Sequence, residues 1–295
     1  MLQRLFTEMK NLNPLRQLVL DNQTFFLTVK FFKMKLLTNL SFAKWLLPFS
    51  FVFTFISCQK LNDDFKPGDG KQKPDTKNNT FNGPQVQVGN GQARSFITTS
   101  HAGVPQEIGV IFTDGALSGL PAVNAPYVLE LHNKALESTP FNHIALGWSA
   151  NGHPLPGSSI GPHFDVRFFM MRLEERLAIP APPSPGFLNL PPAGYMPSNY
   201  FPDAPGPMLG VHWTDKSFTT GVPVNHTMIL GTYDGAFTFV SPIVVRTELV
   251  SGQSFSIPYA QPEKFAKHTY YPTRYNIYKD EKQMHYVTLS HFVLR

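Results

Sequence analysis

Cysteine is almost absent from this chain of 295 residues, which has one, Cys58. A single cysteine excludes an internal disulfide, so the folded part must be held together by its hydrophobic core. Charge is also scarce, since 15% of the residues are Asp, Glu, Lys or Arg, against about 25% in a typical soluble protein. No P-loop, dinucleotide-binding fingerprint or nucleophile elbow occurs, which argues against nucleotide-dependent and serine-nucleophile chemistry.

The formal net charge of +5 comes from the beginning of the chain. Residues 1–57 hold seven Lys or Arg and two Asp or Glu, which leaves 18 residues of each sign in residues 58–295. If the first segment is removed on export, the remaining protein is neutral. A basic nucleic-acid-binding protein is therefore excluded.

An uncharged apolar stretch, Trp45–Ile56, follows Lys35 and Lys44 and precedes Ser57 and Cys58. It is shorter than the roughly 20 residues of a transmembrane helix but has the length of a signal-peptide core. We interpret residues 34–57 as a lipoprotein signal peptide and Cys58 as the lipidated residue. This predicts an exported protein that contacts the membrane through its lipid, on the outer membrane, facing the periplasm or the cell surface. Residues 1–33 are interpreted as an upstream extension of the gene, and a long leader that starts at Met1 is the alternative.

Residues 58–84 are polar, lack periodicity and predict a disordered tether, after which residues 85–295 form a single domain. Alternating apolar and polar residues between turn signals predict a mainly β domain, an antiparallel sandwich or barrel with one or two short helices. The helices are expected around 115–119 and 173–179. The expected strands are 86–88, 93–98, 107–112, 127–132, 143–148, 163–170, 208–213, 227–232, 237–245 and 285–294.

A long proline-rich loop is expected over residues 180–207, because proline cannot donate to a sheet ladder. Such loops are often functional or part of an interface. Tyr195, Tyr200 and Phe201 are the aromatic candidates for a recognition surface in it. The alternative is that these rings pack against their own loop.

Histidine and other ionisable residues cluster in one region. On a strand, His163, Asp165 and Arg167 share one face, because side chains alternate with a period of two. His153 lies on a nearby Gly-Pro loop, and His212 lies on a second strand with the same alternation. Imidazole and carboxylate groups bind Zn, Cu, Mn or Fe, so these residues are candidates for a metal site, a polar-ligand pocket or a buried structural network.

Several separate motifs resemble those of an uncharacterised family of exported bacterial proteins, one member of which belongs to the envelope-stress sigma-E regulon of a thermophile. The resemblance covers residues 85–295, and the family's function is not established. The family pattern runs Gly-His-x-Pro and then Pro-His-Phe-Asp-x-His-Phe-Tyr, followed later by Phe-x-Glu-Pro-Met. The motifs that carry the resemblance are Gly152-His153-Pro154, Pro162-His163-Phe164-Asp165, Phe168-Phe169, Leu173–Ile179, Gly210-Val211-His212-Trp213, Gly231–Gly235 and Tyr271–Tyr275.

This chain departs from the family pattern at two positions, where Arg167 replaces a His and Ser241 replaces a Glu. If the family binds a metal through those residues, this chain lacks two ligands. Arg167 also repels a cation, whereas it can pair with Asp165 or bind an anionic group. The preferred interpretation is therefore a module that binds a small ligand or a protein through a degenerate His-lined pocket. The alternatives are a metal-dependent hydrolase or oxidoreductase and a self-associating structural protein of the envelope.

Overall fold

A computed structural model of the chain describes residues 78–216 and 224–295, which belong to the compact unit Lys71–Arg295. The predicted leader, the predicted lipidation site at Cys58 and most of the predicted tether lie outside the described residues. Strand β1 begins at Asn79, inside the range expected to be tether. In the described ranges no helix is both long and apolar enough to cross a membrane.

The described residues form fifteen strands. They are β1 (Asn79–Val88), β2 (Gly91–Thr99), β3 (Pro105–Phe112), β4 (Ala125–Glu130), β5 (His143–Ser149), β6 (His153–Leu155), β7 (Ser158–Ile160), β8 (His163–Phe169), β9 (Tyr200–Gly206), β10 (Gly210–Asp215), β11 (His226–Tyr233), β12 (Ala236–Val245), β13 (Phe255–Pro258), β14 (Tyr270–Lys279) and β15 (His285–Leu294). Three short α-helices accompany them: α1 (Asn133–Ser138), α2 (Leu173–Leu177) and α3 (Arg246–Ser251). Two 3-10 turns lie at Asp114–Leu117 and Pro185–Phe187.

The strands form three antiparallel sheets. The six-stranded sheet has the order β1-β2-β3-β15-β14-β13, and the seven-stranded sheet has the order β4-β5-β8-β12-β11-β10-β9. The third sheet is the small hairpin of β6 and β7. The prediction of a mainly β, antiparallel fold is confirmed, and both large sheets are open rather than closed into a barrel.

The two large sheets pack face to face around one core. Phe112 of the six-stranded sheet contacts Phe164 of the seven-stranded sheet, with ring centroids 5.2 Å apart. Trp148 lies 5.0 Å from the same Phe164 ring. At one edge the Ser95 hydroxyl donates a hydrogen bond to the Glu130 carbonyl, which ties β2 to β4. Burial of large side chains from both sheets is the main force that holds the sandwich together.

The outer face of the seven-stranded sheet is covered as well. Leu155 and Ile160 of the β6–β7 hairpin join Phe169, Phe239 and other residues in a second buried cluster. Backbone pairing helps to hold the hairpin, because the Val224 amide donates to the Ser159 carbonyl at 2.9 Å. Polar side chains on this outer face are therefore shielded from water, which sets the chemistry of the candidate site.

All ten strands expected from the sequence overlap a strand of the structure. The structure also has five strands that were not expected: β6, β7, β9, β13 and β14. The proline-rich loop is shorter than predicted, because residues 200–206 form β9. This strand tolerates Pro202 and Pro205 because it is an edge strand that pairs only with β10.

Candidate functional site

Strand β8 positions the predicted polar residues as its sequence indicates. Phe164, Val166 and Phe168 point into the core between the two large sheets. His163, Asp165 and Arg167 point to the opposite face, under the β6–β7 hairpin, and His163 and Asp165 are buried. The predicted alternation of this strand is confirmed.

Asp165 and Arg167 form a shielded ion pair. Arg167 Nη2 lies 3.0 Å from Asp165 Oδ1, and the two side chains are 14% and 10% exposed. Burial alone raises the pKa of the Asp165 carboxyl, but the Arg167 guanidinium and the His163 ring outweigh it and hold the pKa below its ordinary value. Gly147 of β5 pairs with Asp165 of β8, and a Cβ at Gly147 would lie 3.0 Å from Arg167 Nη1. The absence of a side chain at Gly147 leaves room for the guanidinium.

His153 and His163 pack against each other with ring centroids 5.0 Å apart. His163 Nδ1 lies 2.7 Å from the Gly161 carbonyl, and His153 Nδ1 lies 2.9 Å from the Pro154 carbonyl. A carbonyl oxygen only accepts, so both Nδ1 atoms carry a proton and donate. This leaves the Nε2 atom of each ring for another contact, and His163 Nε2 lies 3.5 Å from Asp165 Oδ2.

A cavity of about 370 Å³ lies over these residues on the outer face of the seven-stranded sheet. Its polar lining comes from strands that are distant in sequence. Its apolar lining comes from the β6–β7 hairpin and from the outer face of the seven-stranded sheet. The lining residues are His153, Pro154, Leu155, Pro156, Asp165, Arg167, Asp203, Ala204, His212, Thr214, Ile229, Ser241 and Ile243. The structure thus brings four of the five predicted pocket residues to one cavity. The fifth, His163, lies beneath His153 and does not line it.

Two of the lining residues present buried polar atoms without a partner. His212 Nε2 and Ser241 Oγ are inaccessible to solvent and make no hydrogen bond to any residue in the described part of the chain. The His212 ring meets the edge of Phe239 at 5.8 Å. Burial, followed by the nearby Arg167, lowers the pKa of His212 to about 4, so this ring is neutral at neutral pH.

The charges near the cavity do not form a metal cage. Within residues 78–216 and 224–295, no three His, Cys, Asp or Glu side chains are grouped so that they could hold a metal ion. Arg167 instead pairs with Asp165. Ser241 lines the same cavity. The two positions at which we expected this chain to depart from a family pattern therefore lie at one cavity.

Asp203 and Thr214 were not predicted, although both line the cavity. Thr214 Oγ1 lies 3.5 Å from Asp203 Oδ2. Thr214 could have been found from the alternation of its strand, because it lies two residues after His212. Asp203 carries no such signal, since it lies in the proline-rich segment that we expected to be a loop.

The proposed recognition surface of Tyr195, Tyr200 and Phe201 is wrong in one respect. Tyr200 is 5% exposed, and its hydroxyl donates to the Met228 carbonyl at 3.1 Å, so its ring belongs to the core. It is buried because it begins β9, where the chain joins the sheet. Tyr195 and Phe201 are partly exposed.

The fold and the cavity define the protein as a two-sheet β sandwich with a covered, partly polar pocket on the outer face of one sheet. A model of the TTHB210-like family, described as "Hypothetical protein TTHB210", matches residues 100–148. This match supports a relation to an uncharacterised family. The motifs at residues 152–275 lie outside the matched stretch, and the link to an envelope-stress regulon stays a prediction. No curated protein and no solved structure matches the chain.

Proposed function

We propose that this protein is an envelope lipoprotein whose β domain binds a small polar ligand in the cavity next to Asp165 and Arg167. The lipid on Cys58 anchors the chain, and the neutral segment that follows presents the domain outside the cytoplasm. The proposal joins a leader typical of lipoproteins to a cavity of ligand-binding size. Cavities that bind small molecules have volumes of about 300–1,000 Å³, and this one has about 370 Å³.

The observation that carries the proposal is that two residues lining the cavity, His212 and Ser241, each have a buried polar atom, Nε2 and Oγ, with no hydrogen-bond partner among the described residues. A buried polar group without a hydrogen bond costs about 1–3 kcal/mol. Two such groups at one cavity are therefore explained by a molecule that occupies it. A ligand with hydrogen-bonding groups at one end and an apolar body fits the lining, because Leu155, Ile229 and Ile243 supply apolar walls.

Ser241 offers a matched test of this proposal. Ser241→Ala removes the hydroxyl without adding bulk, and Thr227→Val removes another buried hydroxyl that has no partner among the described residues and does not line the cavity. Neither variant should lose much stability, since each loses a polar atom without a partner. Binding of small amides, diols, imidazoles and carboxylic acids, measured by protein-observed NMR, should weaken at least fivefold in Ser241→Ala and stay unchanged in Thr227→Val. Equal binding by both variants, or no binding by the wild type, would contradict the proposed site.

The anchor has its own test. Replacement of Cys58 by Ala should move the protein from the membrane fraction to the soluble fraction of the cell envelope and abolish labelling with a radioactive fatty acid. A variant that stays in the membrane and keeps the label would remove the lipoprotein interpretation. That result would leave the cavity proposal untouched, because the two rest on different residues.

A metal-dependent enzyme is the second candidate. It is favoured by His153 and His163, since a ring that donates through Nδ1 to a backbone carbonyl directs Nε2 as metal-bound histidines do. Arg167 opposes a cation at this site, so Arg167→His is the informative variant. If Zn, Cu, Mn or Fe raises the melting temperature of Arg167→His and activity toward model substrates appears, the domain is a degenerate enzyme. If no metal changes the melting temperature or the activity of Arg167→His, the ligand-binding module remains the better proposal.

A further inference from the structure

Arg176 is a buried cation that has no counter-ion among the residues that the structure describes. The residue is 7% exposed and lies on α2, which covers the outer face of the seven-stranded sheet. Its Nε donates to the Met208 carbonyl at 3.1 Å, and its guanidinium lies 4.9 Å from the centre of the Phe169 ring. Its Nη1 is inaccessible to solvent and has no hydrogen-bond partner.

The neighbouring charges do not balance the positive charge of Arg176. Among the residues that the structure describes, Arg176 forms no ion pair with a carboxylate, whereas Arg167 pairs with Asp165 and Arg172 pairs with Glu175. Burial, followed by repulsion from Arg167, lowers the pKa of Arg176. Arginine is almost never this deeply buried unless it is paired.

His143 is a second unpartnered group beside the same phenylalanine. Its ring stacks on Phe169 with centroids 5.1 Å apart, and the residue is 3% exposed. Its Nδ1 lies 3.2 Å from Asn142 Oδ1, while its Nε2 is buried and unpartnered. Burial, followed by the positive charge of Arg176, lowers the pKa of His143 to about 4, against an opposing effect of Glu174.

One carbonyl and one aromatic face offset only part of the cost of this charge. The aromatic face of Phe169 attracts the cation, and the bond from Nε to the Met208 carbonyl is a charge-assisted hydrogen bond, but neither contact supplies a negative charge. A buried water could satisfy Nη1 but would not balance the charge. An anion would do both, and it would favour a proton on His143 Nε2, which would then donate to it.

We propose that Arg176 and His143 bind a small oxyanion, a phosphate, sulfate or carboxylate group, at a site separate from the cavity. Neither residue lines that cavity, so this site does not depend on the function proposed above. Its selectivity comes from the planar guanidinium, which matches the geometry of oxyanions. The anion joins helix α2 to strands β5 and β8 and so stabilises the cover of the outer face.

The test uses the full chain, purified in detergent without phosphate, sulfate or small carboxylates. Its melting temperature is measured against sodium phosphate, sodium sulfate and sodium formate at constant ionic strength. A site-bound anion produces a saturable rise, about 5–10 °C at a hundredfold excess over Kd for a domain of this size. Arg176→Met should lose the saturable rise, whereas Arg172→Met removes an exposed charge four residues earlier, at the N-cap of the same helix, and should keep it.

Two further variants keep the test informative if Arg176→Met does not fold. His143→Phe preserves the ring stacking on Phe169 and should weaken anion binding at least threefold. Glu174→Gln should leave the rise unchanged. The proposal is overturned if no anion produces a saturable rise in the wild type, or if Arg176→Met keeps it. It is also overturned if Glu174→Gln destabilises the anion-free chain as strongly as Arg176→Met, because Glu174 would then be the counter-ion.

Discussion

Replacement of Arg167 by Met is the sharpest perturbation of the buried ion pair. The variant keeps most of the side-chain volume but leaves Asp165 without the guanidinium that lies 3.0 Å away. Removing one partner of a buried pair costs about 3–5 kcal/mol. Because Arg167 retains 14% exposure toward the cavity, we expect the lower part of this range, about 3–4 kcal/mol at pH 7. In a domain of this size the melting temperature should fall by about 6–16 °C.

The same variant predicts a particular pH dependence. In the wild type the pKa of Asp165 is held below its ordinary value, so its contribution to stability is present above pH about 3.9 and is lost as the pH falls toward the folded-state pKa. In Arg167→Met, burial is no longer opposed by the guanidinium, and the pKa of Asp165 rises instead. The stability difference between wild type and variant should therefore be largest near pH 7. It should shrink as the pH falls through the raised pKa of Asp165 in the variant, which lies above the ordinary value of about 3.9.

Urea unfolding followed by tryptophan fluorescence, at several pH values between 3.5 and 7, measures this difference. The double variant Arg167→Met with Asp165→Leu is the control, because replacing both partners of a buried pair by apolar residues is often neutral. It should recover most of the lost stability. A loss below about 1 kcal/mol in the single variant, or a loss that does not change with pH, would refute this account of the pair.

Three other predictions concern the packing and protonation of the outer face. Gly231→Ala should destabilise the domain by more than about 2 kcal/mol in urea unfolding, because a Cβ there would lie 2.0 Å from a ring carbon of Phe239; a neutral effect would contradict the packing. Leu155→Ala should lower the free energy of unfolding by about 2–5 kcal/mol, because it deletes a buried contact of the β6–β7 hairpin. Leu188 is 85% exposed, so Leu188→Ala should be neutral within about 0.5 kcal/mol. Equal losses in the two variants would mean that the hairpin does not cover the sheet. The pKa of His212 is lowered to about 4, so its stabilising contribution should be present above pH about 6.5 and decline as the pH falls toward 4; an NMR titration that charges this ring near pH 6.5 would contradict its burial.

Much of the sandwich could be predicted because its strands carry their own signals. The alternation in β8 predicts both the core face and the polar face of that strand. Five strands were not found, because two have only three residues and others contain proline. Pro272 lies inside β14, where it pairs with Phe292 of β15. Local propensity disfavours proline in a strand, so this strand depends on its tertiary context and could not be predicted from its own residues.

The candidate site could be predicted only in part. The sequence places His163, Asp165 and Arg167 on one face, but the cavity depends on strand order, which brings β12 beside β8. Ser241 could not be placed in the cavity from local pattern, since its strand is about 75 residues away in sequence. Nor does any local pattern predict that Arg176 is buried, because its helix is exposed on most other positions.

The most direct test of the cavity proposal is a crystal structure of the protein soaked with small polar fragments such as amides, diols, imidazoles and carboxylic acids. We predict that at least one fragment occupies the cavity, with a polar atom within hydrogen-bonding distance of His212 Nε2 or Ser241 Oγ. A cavity that holds only ordered water in every soak, with both atoms satisfied by it, would contradict a ligand site.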